Sequence, residues 1–214
     1  MCNLKVAESP IFIVGSGRSG TNWVGQILQS HSDIVVTIEM SPIFQWVTAI
    51  ALDPRLEADL LPKLFWAYEQ QFQRAAPLAY ADKSHPNLWL ADHLKATFPS
   101  AHFVGIERNP FATVASMMMH NKVADWHRRW REFPLPNRFL GISEDLAGQY
   151  ESLPLATKCA LRWLAHHREL NRLRETLGSC LIVLSYETLL LETARELSRL
   201  QSFLKLDSPI PAPM

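Results

Sequence analysis

The chain has 214 residues, 48% of them hydrophobic and 20% charged, with 21 basic residues set against 21 acidic ones. That length suits one domain with a sizeable core, and the zero formal charge removes any global case for nucleic acid or an anionic membrane as partner. No apolar run is long enough for stable membrane insertion, and residues 1–5 do not read as a signal peptide; Cys2, Cys159 and Cys180 lie too far apart for a zinc site or a disulfide framework, so a reducing, cytoplasmic setting is expected.

In chain order, the first element is an apolar strand, Ile11–Gly15, which runs into the turn Ser16-Gly17-Arg18-Ser19-Gly20 and a helix over 21–30. A strand, a glycine-rich turn and a helix start present backbone N–H groups and a positive dipole end to an anion. Gly15 and Gly20 have the spacing of a nucleotide-triphosphatase loop, but Thr21 stands where that loop needs lysine, and Arg18 is its sole cation. Gly15, Gly17 and Gly20 also match a dinucleotide-binding pattern, with Glu39 near the end of the second strand as its acidic partner.

Further strands are expected at Ile34–Ile38, 78–81, His102–Glu107 and 180–185, and helices at 62–74, 88–98, 112–120, 156–177 and Thr193–Leu204. Phe65, Tyr68 and Phe72 form one apolar stripe, and Ala160, Trp163, Leu164, Leu170, Leu173 and Leu177 another, stopped at Gly178. Strands separated by helices imply a mainly parallel sheet covered on both faces, with ligands at the carboxyl ends of the strands. That rule selects residues 15–22, Glu39, residues 83–85 and Arg108-Asn109. Residues 121–154, rich in proline, arginine and tryptophan, read as a lid or binding loop within the single domain 1–214, and the proline-rich stretch 207–214 reads as an exposed extended end. Within the lid, Trp126-His127-Arg128-Arg129-Trp130-Arg131 suits either a grip on an anionic or sugar-like ligand or a solvated helix with two buried indoles.

Pro110 can open a helix that carries Ser116, so Arg108 and Ser116 can meet on one anion. His166 and His167 are consecutive on a helix and cannot face one site, and no histidine spacing suits a metal.

Arg18-Ser19-Gly20-Thr21-Asn22-Trp23 resembles the 5′-phosphosulfate loop of the sulfotransferase family, which reads K/R-S-G-T-x-W. Residues 103–116 resemble that family's 3′-phosphate motif, Asp82-Lys83-Ser84-His85-Pro86 is similar to its K-[ST]-H turn, and Tyr186-Glu187-Thr188-Leu189 to its Y-E-D-L segment. The resemblance covers nearly the whole chain in the right order. It implies a three-layer α/β fold of P-loop type with a five-stranded, mainly parallel sheet flanked by helices. It also implies a donor, 3′-phosphoadenosine 5′-phosphosulfate (PAPS), released as PAP, with no metal and with a hydroxyl or amine of a small-molecule or glycan acceptor as its target.

Carried onto matching positions, the resemblance puts Gly17, Arg18, Ser19, Gly20, Thr21 and Asn22 on the phosphosulfate, Trp23 against adenine, and Arg108 with Ser116 on the 3′-phosphate. Arg18 is the candidate to neutralise the leaving phosphate and Lys83 to stabilise the sulfuryl oxygens. His85 and Glu39 compete as the base; an unperturbed imidazole suits neutral pH, so the sequence favours His85. The late R-K-G-x-x-G-x-W-K segment of many family members has no counterpart here. A kinase-like phosphotransferase and a non-catalytic nucleotide-binding protein are the rival readings.

Overall fold

A computed structural model describes residues 9–212; the readings for residues 1–5, Cys2 included, and for the last two residues of the tail lie outside that range. Five strands, β1 (Ile11–Gly15), β2 (Ile34–Ile38), β3 (Ala79–Lys83), β4 (His102–Glu107) and β5 (Leu181–Ser185), form one parallel sheet in the order β2-β3-β1-β4-β5. The expected α/β class, with its helix-flanked five-stranded sheet, is the one observed. β1 sits at the centre and is apolar on both faces. Phe12 and Val14 join one core and Ile11 and Ile13 the other, because successive side chains of a strand point to opposite sides.

Among the described residues ten α-helices connect and cover the strands. α1 (Thr21–Gln29), α2 (Ile43–Leu52), α3 (Glu57–Ala75), α4 (Ala91–Thr97) and α5 (Pro110–Met118) are followed by α6 (Asn121–Arg128), α7 (Glu144–Tyr150), α8 (Leu155–Leu177), α9 (Tyr186–Leu191) and α10 (Thr193–Leu204). Several boundaries differ from the sequence reading. α2 is apolar nearly all round, so no periodic stripe announces it. α3 starts five residues before Pro62, which the preference of proline for the first helical turn had made the start. Residues 85–90, assigned to a helix from 88 on, form a 3-10 turn ahead of α4.

The segment 121–154 is not a loop. It holds α6 and α7, and Trp130, Phe139, Leu140, Ile142 and Tyr150 are buried in the core. The tail also departs from expectation: Ile210 is buried, and Ser208 holds the His31 ring through its carbonyl (3.1 Å) and hydroxyl (2.9 Å). Cys159 is a buried free thiol. Among the described residues no helix is long and apolar enough to cross a membrane.

β3 runs two residues further than its apolar pattern suggested, because Asp82 and Lys83 are charged yet buried. Asp82 accepts hydrogen bonds from Tyr68 (3.0 Å), Asn87 (3.0 Å), Thr37 (3.1 Å) and Ser84 (3.3 Å). Burial pushes its carboxyl up to about 6 against the pull of those donors. The network ties α3, β2 and the 3-10 turn to the end of β3, and so fixes where Lys83 and His85 point. Asp82→Ala strands these buried donors and is expected to cost about 2–4 kcal/mol of stability, measured by urea unfolding. A cost under about 0.5 kcal/mol would show that the network is dispensable.

Candidate active site

Residues 16–20 join β1 to α1 as a tight loop whose backbone is left-handed at Arg18 (φ 75°) and Gly20 (φ 103°). Gly20 has a second reason to be glycine, since a Cβ there would meet the Tyr186 ring at 2.6 Å. Ser19 braces the loop from inside: its N–H donates to the Ser16 carbonyl (3.2 Å), and its hydroxyl reaches the carbonyls of Ser16 (2.5 Å) and Ile106 (3.3 Å). It is buried beneath the cavity described next and is not among that cavity's lining residues. The start of α1 has no side-chain cap and no acidic residue in its first turn. Its first N–H groups and its positive dipole end are therefore left for an anion.

Above the loop lies a cavity of about 420 Å³, lined by Gly17, Arg18, Gly20, Thr21, Asn22 and Trp23 of the loop and α1. Lys83, His85, Arg108, Ser116, Glu39, Lys122, Trp126, Arg162 and Tyr186 are among the other lining residues. Five cations, Arg18, Lys83, Arg108, Lys122 and Arg162, thus face a single carboxylate, Glu39. A chain without net charge has gathered a strong local positive field at the carboxyl ends of its strands.

Arg108 follows β4. Its guanidinium lies over the Tyr186 ring at 4.3 Å and donates to the Arg18 carbonyl at 3.4 Å, and its buried Nε has no partner. Ser116 comes to the same place on α5, which starts at Pro110 as expected and is capped by Asn109 accepting from Phe111 and Ala112. Glu187 joins the two motifs by accepting from the Asn109 N–H at 2.9 Å. Trp23 packs edge-on against Tyr186 with ring centroids 5.3 Å apart. Arg18 Nε donates to Ser116 Oγ at 3.1 Å. Its guanidinium therefore lies beside the Arg108–Ser116 corner.

On the other side, the parallel register of β2 and β3 pairs Ile38 with Lys83, so Glu39 arrives beside the Lys83–His85 turn. The buried Lys83 Nζ forms an ion pair with the more exposed Glu39, and His85 Nδ1 lies 3.5 Å from the same oxygen. Burial alone would raise the Glu39 carboxyl, but His85 and Lys83 outweigh it and lower it to about 2. Burial holds His85 down at about 4, against the pull of Glu39. At neutral pH the carboxylate is therefore ionised and the imidazole neutral.

The two base candidates differ in access. Glu39 is about one-third exposed and lines both this cavity and an adjoining one of about 610 Å³. His85 is buried, and its Nε2 has no partner. The second cavity shares Glu39, Phe44, Lys122 and Trp126 with the first and continues over Thr48, Leu52, Arg129 and Phe133. In the stretch 126–131, Trp130 is buried while Trp126 lines both cavities, so packing and lining roles coexist.

Among the described residues no cluster of His, Cys, Asp and Glu has the form of a metal site. Arg162 was missed by the sequence reading, because it sits one position before Trp163 in a helix read for its apolar stripe.

The profile of the sulfotransferase family matches residues 10–71 and 45–209 of the chain. Among solved structures, the chain is similar to a sulfotransferase from Alicyclobacillus acidocaldarius, at 19% identity and a TM-score of 0.62, over 96% of this chain and 85% of that one. It is similar to the sulfotransferase domain of a Synechococcus olefin synthase, at 19% identity and a TM-score of 0.60, over 94% and 74% of the two chains. A mouse sulfotransferase complexed with PAP is 18% identical with a TM-score of 0.55, over 94% of this chain and 60% of that one. At such identities the likeness speaks for the fold. No curated protein matches the sequence.

Proposed function

The chain belongs to the sulfotransferase family, and on that premise we propose that it moves a sulfuryl group from PAPS to a hydroxyl or amine of a small-molecule or glycan acceptor and releases PAP. The observation that carries this reading is the convergence of five cations on an uncapped loop-helix start, with a carboxylate where two cavities meet. The residues fit a nucleotide with anionic groups at both ends. The loop N–H groups and Thr21 would take the phosphosulfate, the Arg108–Ser116–Arg18 corner the 3′-phosphate, and Trp23 with Tyr186 the adenine. Arg18, placed beside Ser116, supports the corner that many family members complete with a late glycine-rich segment.

Sulfuryl transfer needs alignment and charge stabilisation, and the sulfuryl group carries less charge than a phosphoryl group, so cationic side chains suffice in this reading. Lys83, once drawn to the sulfuryl oxygens, would release Glu39 to accept the acceptor's proton. In this reading Glu39 rather than His85, which the sequence favours, serves as the base; the carboxylate lining both cavities, where the imidazole lines one, supports it. His85 then orients Glu39. The larger cavity would hold the acceptor body, with residues of the 121–154 segment as one wall.

PAP at one hundred times its Kd is expected to raise the melting temperature by roughly 5–10 °C, and radiolabelled PAPS to transfer label to a panel of hydroxyl and amine acceptors. Stabilisation by ATP with magnesium and none by PAP would sink this reading in favour of a kinase-like one.

The pH dependence separates a perturbed from an unperturbed base. Glu39 at about 2 and His85 at about 4 are both deprotonated well below neutrality. kcat/KM is therefore expected to hold nearly constant from pH 8 to 6, whereas an ordinary imidazole base titrating near 6.5 would lose about fourfold. A fourfold fall at pH 6, in protein still folded by circular dichroism, would return the role to a histidine.

A further inference from the structure

Arg162 on α8 is fully buried, and its Nε, Nη1 and Nη2 all lack a hydrogen-bond partner. A guanidinium carries five N–H donors and is costly to bury unpaired. The rings of Trp126, at 4.9 Å, and Phe139, at 4.5 Å, hold it between them. Such contacts recover only part of that cost. Among the described residues no carboxylate forms an ion pair with it; its neighbours include His85, His120, His127 and His166, whose charged forms it opposes.

Its place is specific. Arg162 lines the loop cavity and not the larger one. A Cβ on Gly17 would stand 3.0 Å from His85 Nε2 and 3.5 Å from Arg162 Nη2. Gly17 does not have a left-handed φ, so close approach rather than backbone conformation calls for glycine there. Two unpartnered buried nitrogens thus face the side-chain-free middle of the anion loop.

We propose that Arg162 is the receptor for the transferable sulfonate of the donor, a small oxyanion entering beside Gly17 and supplying the partners the guanidinium lacks. The proposal rests on the donor reading above. Lys83 would then hold the sulfonate from the β3 side and Arg162 from the α8 side, with the phosphate left to the loop.

The test compares Arg162→Met and Arg162→Lys with the unaltered chain, using PAPS and PAP as separate ligands, since they differ by the sulfonate. Arg162→Met is expected to bind PAPS at least tenfold more weakly and PAP within twofold, with Arg162→Lys in between. Its melting temperature is expected to be unchanged or higher, because an apolar residue of similar length removes an unpaired buried charge. A merely structural arginine would lower stability and weaken both nucleotides alike, and that result overturns the proposal, as does PAPS binding left intact. If only the KM for anionic acceptors rises, the oxyanion belongs to the acceptor and the donor assignment is overturned. A wild-type chain that binds neither nucleotide refutes the donor reading itself. Inorganic sulfate then decides Arg162 by fluorescence, with Trp126→Phe identifying the reporter: quenching lost in Arg162→Met supports an oxyanion receptor, and equal quenching removes it.

Discussion

Glu39→Gln is expected to lower kcat by about 10²- to 10⁴-fold while leaving PAP affinity within about twofold, the range by which a positioned base accelerates proton transfer. Glutamine keeps a carbonyl to accept from Lys83, so the ion-paired corner loses its charge without leaving a buried ammonium wholly unpartnered. His85→Gln is expected to cost about tenfold or less, since a residue that orients a base contributes less than the base itself. The comparison is direct because both side chains meet at one oxygen, with His85 Nδ1 3.5 Å from Glu39 Oε1. Single-turnover rates with PAPS and a responding acceptor provide the readout. The assignment is wrong if His85→Gln is the inactive variant and Glu39→Gln turns over normally.

A second large effect is expected on acidification. His85 and His102 are held at about 4, His127 at about 3, and His166 well below its ordinary value, each mainly by burial. His85, His102 and His127 each have a buried ring nitrogen without a partner among the described residues, so protonation would place a charged N–H where nothing accepts it. The unfolded chain binds these protons near 6.5 and the folded chain does not, so stability falls as pH drops from about 6.5 towards 4. Asp82 works in the opposite direction, because its folded value of about 6 lies above that of a free carboxyl, and it gains stability over part of the same window.

His85, His102 and His127 each contribute on the order of 2 kcal/mol between pH 7 and 5, and their net loss is on the order of 5 kcal/mol after the opposing carboxyl. A melting temperature more than about 10 °C lower at pH 5 than at pH 7 is the expected result. A flat or rising melting temperature would show that the cluster titrates normally. His102→Leu is expected to flatten the dependence without touching the cavity, which its ring does not line.

Local order was legible in the chain. The β1–loop–α1 unit could be read because a β-branched run, closely spaced glycines and a helix start lie side by side. Arg108, Pro110 and Ser116 could be read because one turn and one helix carry them. α2 could not, since a helix apolar on nearly every face shows no period. The end of β3 could not either, because burial of Asp82 depends on donors from Thr37, Tyr68 and Asn87, which only packing brings to it. The segment 121–154 was misread as a loop because its prolines and arginines mask residues that enter the core.

By itself the sequence determined the parallel α/β layering, the glycine-rich loop between β1 and α1 and the motifs that mark the family. The tertiary structure decided how their charges combine. Glu39 and Lys83 are 44 residues apart, and the β2–β3 register makes them an ion pair. Arg162 lies beyond both, on a helix read from its apolar stripe, and chain folding sets it against Gly17. The reason is physical: backbone preference and hydrophobic period act over a few residues, whereas burial and Coulomb interaction act through space and have no fixed spacing along the chain.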